Sequence, residues 1–163
     1  MNQRYTIVTL SELLRVARDG ERGFSTCADR ARSATLQSAF KSHAGRYAAT
    51  VAELRELVGQ LGGDPGMRGT ILGGARRGWV NLRAALALNE DEALVDACEH
   101  GEDHALEVYR NALDDHLPEF VRHVVLRQFE SMMNDHHQLR IILRNEPPPG
   151  GRVVASHGGH ARQ

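Results

Sequence analysis

The sequence predicts an all-α fold of four long helices arranged as two hairpins, with a long helical crossover between the second and third. Three observations predict it. Apolar residues recur at spacings of three and four almost throughout the chain. The breaks between the first and second helices, and between the third and fourth, are only a few residues long, which makes each pair antiparallel neighbours. The stretch between the second and third helices is far too long for a turn.

The first helix is expected from about Thr6 to Ala31, with Leu10, Leu13, Leu14, Ala17, Phe24, Ala28 and Ala31 on its apolar stripe. The second follows from about Ser33 to Leu61 and carries Leu36, Phe40, Ala44, Tyr47, Val51, Leu54, Val58 and Leu61 inward. "GGDPG", Gly62 to Gly66, stops it: glycine and proline cannot continue a helix at low cost. The crossover, from about Arg68 to Ala87, is read as a helix of about 20 residues, which at ~1.5 Å per residue covers roughly 30 Å. That is close to the length of the bundle, so the second and third helices are expected to run parallel. One long crossover is the ferritin-like arrangement of a four-helix bundle.

Asn89 with Glu92 three residues on reads as a helix start of the capping-box kind. The third helix should reach about His116, with Leu94, Cys98, Ala105, Tyr109 and Ala112 inward. Pro118 is placed to open the fourth, which runs to about Arg144 behind Val121, Val124, Val125, Met132 and Leu139. Residues 1–145 therefore read as one domain. Residues 146–163, rich in proline and glycine and without periodicity, read as a flexible tail in which His157 and His160 are solvated.

Bulk properties exclude several function classes. A formal net charge of −1 points away from nucleic acid, and an aromatic content of 5% away from a stacking platform for single strands. The two cysteines, Cys27 and Cys98, lie far apart in sequence, which fits reduced structural thiols and not a disulfide scaffold or zinc knuckle. "MNQRYTIVTL" has no basic segment leading into an apolar one, and no long apolar run follows. A cytoplasmic location without a transmembrane segment is the expectation. No nucleophile elbow appears, and "GGARRG" lacks the lysine of a phosphate loop.

The chemistry-bearing residues are the polar ones that fall inside the apolar stripes. On a helical wheel Glu21 lies between Ala17 and Phe24, Glu102 between Cys98 and Ala105, and His43 between Phe40 and Tyr47. On the fourth helix Gln128 and Asp135 fall in the stripe and His136 at its edge, while Glu53, Glu107, Glu130 and His137 point outward. Counting from the shared end of the hairpins brings Glu21, His43, Glu102 and Asp135 to a common level. Buried carboxylates persist only when something compensates their charge. One compensation is a metal ion held by Glu21, His43, Glu102, Asp135 and His136, of the iron or manganese kind that such bundles bind. The other is an ionic network in which Arg46 and Arg127 reach in to the glutamates and Tyr47 and Tyr109 donate hydrogen bonds. Nothing points to a nucleotide or organic cofactor.

"ARDGERGF", "GARRGWVNLRAAL", "ACEHGEDHALEVYRNAL" and "LPEFVRHVVLRQFE" resemble the uncharacterised bacterial ferritin-like family catalogued as domain of unknown function 2383, over roughly Leu10 to Leu143. The resemblance implies a ferritin-like four-helix bundle and no established activity. Against the di-iron pattern of the wider superfamily, Glu21 and Glu102 match the lone glutamates. The two Glu-x-x-His pairs are reduced to Phe40-x-x-His43 and Met133-x-x-His136. The lost glutamates are those expected to bridge two metals, which argues against paired-iron chemistry.

Two functions follow as expectations. One is a metal-binding bundle. The other is a metal-free structural or stress-associated bundle that forms a homo-oligomer, with Arg68, Arg76, Arg77 and Trp79 of the crossover offering a basic, partly apolar face. Membrane-surface contact through that crossover is the weakest reading, because its glycines weaken the helix.

Overall fold

A computed structural model describes residues 2–66 and 77–145, with side chains described to residue 142. Its described residues are helical with no strand: α1 (Gln3–Arg30), α2 (Ala34–Gln60), a 3-10 turn (Arg77–Trp79), α3 (Leu82–Leu88), α4 (Asp91–Asp114) and α5 (Glu119–Asn145). The four long helices match the expected ones to within three residues at each end.

Two corrections concern the crossover. Its described part is a 3-10 turn and the seven-residue α3 where a helix of about 20 residues was expected, and residues 68–76 of that expected helix lie outside the described residues. Asn89 does not start α4. It closes α3 in the left-handed conformation, φ 52°, which a short polar side chain tolerates. Glu90 stands at the N-cap of α4.

α1 packs on α2 and α4, and α5 packs on α4 and α2, so the long helices form a ring in the order α1, α2, α5, α4. Two clasps fix their directions. The Asp91 carboxylate, in the first turn of α4, accepts from the backbone N–H of Arg32 at 2.7 Å and of Ser33 at 2.9 Å. Those residues form the α1–α2 turn, where the Ser33 hydroxyl caps α2 through Leu36 N–H. α2 and α4 thus begin at the same end and run parallel. At the other face His43, early in α2, lies beside Asp135, late in α5, and Glu53, later in α2, beside Arg127, so α2 and α5 are antiparallel.

The core holds Leu10, Leu13, Phe24, Phe40, Leu54, Leu94, Tyr109 and Val125, all fully enclosed. No helix of the described residues is long and apolar enough to cross a membrane.

Candidate functional site: the Glu102 cavity

Three glycines decide how the middle of the molecule is filled. A Cβ on Gly20 would lie 2.6 Å from the Tyr47 ring, and one on Gly23 would lie 2.5 Å from the Trp79 indole. A Cβ on Gly101 would overlap that same indole from the other side. The indole therefore fills a slot between α1 and α4 that only glycine leaves open. Phe24 joins the rings together, edge-on to Trp79 at 5.6 Å between centroids and stacked on Tyr47 at 5.6 Å and on His43 at 5.0 Å. Trp79 is thus a core wedge, not part of an outward basic face. Arg68 and Arg76 of that expected face lie outside the described residues, and only the backbone of Arg77 is described.

Because rings occupy the α1 side, the polar residues collect on the other. A cavity of about 210 Å³ opens between α2, α4 and α5, walled by His43, Arg46, Tyr47, Glu102, Gln128 and Asp135 among others, with Glu53 and Arg127 at its rim. His43, Glu102 and Asp135 are brought together here as expected from their level on the helices. Glu21 is half-buried on α1 and does not line the cavity, since the inward positions around it, Gly20, Gly23 and Phe24, are taken by the ring cluster. His136 lines a separate surface hollow with Asp103 and Arg140.

The arginines act differently from the expected network. Arg46 pairs with Asp135 at 2.5 Å, and Arg127 pairs with Glu53 at 2.5 Å. Their hydrogen bonds and ion pairs are thus made to these two carboxylates and not to Glu21 or Glu102. Tyr109 donates to Gln128 Oε1 at 2.8 Å, and Gln128 Nε2 donates to Glu53 at 2.6 Å. Glu53, expected to point outward, is the anchor of this chain of bonds. The helical period carried no signal for it, because position 53 lies about 100° from Leu54 on the wheel, outside the Tyr47–Val51–Leu54 stripe.

Glu102 is the exception. It is 1% exposed, and neither carboxyl oxygen has a hydrogen-bond partner. Burial pushes its carboxyl up to about 8, with Asp135 and Asp103 acting in the same direction and Arg46 opposing them. Its nearest cationic candidate is His136 Nδ1 at 3.6 Å, also without a hydrogen bond. Burial lowers the His136 imidazole from its usual value, against the pull of Asp103, whose carboxylate lies 3.3 Å from Nε2.

These donors do not fit a metal centre. Among the described residues no three His, Cys, Asp or Glu side chains form a group that could hold a metal ion. Asp135 is closed by Arg46. Both ring nitrogens of His43 face carbonyl oxygens, Nδ1 that of Ala39 at 2.9 Å and Nε2 that of Asp135 at 3.3 Å.

The family described as domain of unknown function DUF2383 matches residues 5–115. The chain belongs to this family. The DUF2383 match takes in α1 to α4, and with them His43, the Trp79 slot and Glu102, and ends before α5. The resemblance expected up to Leu143 is therefore matched as far as residue 115. No curated protein matches the chain.

Proposed function

We propose that this DUF2383 chain is a ferritin-like helical bundle that works as a non-catalytic, metal-free module. The parallel course of α2 and α4 on either side of a long crossover supports the ferritin-like reading. The observation that carries the metal-free reading is the closure of the core donors on each other: Arg46 on Asp135, Arg127 and Gln128 on Glu53, and His43 on two backbone carbonyls. Of the expected ligands, Asp135 and His43 already hold protein partners, and burial favours the protonated form of Glu102.

Metal analysis tests the reading. Protein purified without chelator, then offered ferrous iron or manganese and desalted, is expected to hold well below one metal per chain. Stoichiometric metal that disappears in Glu102→Ala would overturn it.

The module is proposed to self-associate. Leu126, Met133 and Ile141 of α5 are exposed, and the first two are one heptad apart on one face of the helix. Light scattering at rising concentration reads this directly, and a strict monomer at high concentration contradicts it.

A further inference from the structure

We infer that the Glu102 cavity is a binding site for a small organic ammonium ion. The cavity wall carries three carboxyl groups, Glu53, Glu102 and Asp135, against two guanidiniums, Arg46 and Arg127. Both guanidiniums are committed, to Asp135 and Glu53. The carboxyl group left over is Glu102, which lines the cavity while buried to 1% exposure, with both oxygens unpartnered.

A buried polar group without a partner costs free energy, so the site favours whatever donates to it. A metal ion needs several donors, and three are not assembled among the described residues. A primary ammonium needs one carboxylate, because its three N–H groups can reach both oxygens and a water. The rest of the wall suits the remainder of such a ligand. The Tyr47 ring, Met132 and Ala49 offer apolar surface to a short alkyl chain. A cavity of about 210 Å³ is well above what a single water needs and has room for an amine with a few carbons. Arg46, Arg127 and Glu53 stand partly exposed at the mouth, so the cavity opens to solvent past its ion pairs.

This inference rests on the metal-free reading above. The test titrates propylammonium chloride into the full chain above pH 8, where Glu102 carries its charge, by calorimetry and thermal shift. One-to-one saturable binding is expected, with tetramethylammonium, which has no N–H, binding about tenfold more weakly or worse. Glu102→Gln keeps the shape and removes the charge, and is expected to weaken propylammonium about tenfold or more. Ala49→Trp, at an exposed position of the wall, plugs the cavity without touching Glu102 and gives a second reading should E102Q not fold. Equal binding by wild type and E102Q, or by wild type and A49W, overturns the inference. So does tetramethylammonium binding as well as propylammonium. No saturable binding of propylammonium overturns this inference alone, whereas stoichiometric manganese binding lost in E102Q overturns the metal-free reading with it.

Discussion

The Glu102 Oε1 atom lies 3.6 Å from His136 Nδ1, and neither atom makes a hydrogen bond. At that distance the contact is not a hydrogen bond, and it becomes an ion pair only if a proton moves to the imidazole. The surroundings oppose that. Burial drives the Glu102 carboxyl up and the His136 imidazole down, so both groups are favoured in their neutral forms. The middle of the bundle is therefore held together around a carboxylic acid, not a carboxylate, at neutral pH.

The stability of the protein should accordingly depend on pH through Glu102. Its folded value of about 8 lies above the 4.5 of a free carboxyl. Between these limits the folded state holds a proton that the unfolded state releases, so stability falls as pH rises. The full difference corresponds to roughly 5 kcal/mol as an upper bound. Urea unfolding of wild type and Glu102→Gln from pH 4.5 to 9 reads it. The two should be close at the acid end, and E102Q should gain on wild type until about pH 8, where the gap levels off. Parallel curves would mean that Glu102 ionises in the folded protein as freely as in the unfolded chain.

The Trp79 slot gives a second prediction. A methyl at position 101 would overlap the indole, which also fills the space beside Gly23 on the facing helix. Gly101→Ala is expected to cost about 1–3 kcal/mol through overpacking, despite alanine's better helix propensity of about 1 kcal/mol. Trp79 is the chain's only tryptophan, so its emission reports the slot without interference. A red shift should accompany the loss. Gly45→Ala is the control: it is exposed in α2, nothing lies within 4 Å of an added Cβ, and a gain of up to about 1 kcal/mol with unchanged emission is expected. A Gly101→Ala protein as stable as wild type, with blue emission, would show that the indole is not wedged there.

The helices and the inward placement of Glu102 and His43 were legible in the sequence, because both follow from a period of 3.6 that burial imposes on any packed helix. The parallel course of α2 and α4 followed from a length argument alone. What could not be read was which partner each polar group would choose. Arg46 and Arg127 are long enough to reach several carboxylates, and the choice of Asp135 and Glu53 depends on side-chain geometry between helices. Glu21 illustrates a second limit. Its wheel position is close to that of Leu14, at the edge of the arc, and the glycines beside it admitted rings into the space where a converging carboxylate was expected. "GERGF" and "HGEDH" carry their information in the glycines as much as in the glutamates. Asn89 marks a third: the same residue type that caps helix starts also closes helix ends in the left-handed region.

The chain of bonds from Tyr109 through Gln128 to Glu53 supplies the last prediction. Tyr109 is fully enclosed, and burial raises its phenol above the usual value, so it stays a hydrogen-bond donor at any ordinary pH. It donates to Gln128 Oε1 at 2.8 Å. Gln128→Leu preserves apolar bulk but strands that hydroxyl, which is expected to cost about 1–3 kcal/mol. Tyr109→Phe removes the donor and leaves Gln128 still bonded to Glu53, for a smaller loss of about 1 kcal/mol. The double variant is the decisive measurement. With donor and acceptor both gone, nothing is stranded between them, and Y109F added to Q128L should cost little or restore stability. Losses that simply add would show that the two side chains act independently and that Tyr109 finds another acceptor, a buried water included.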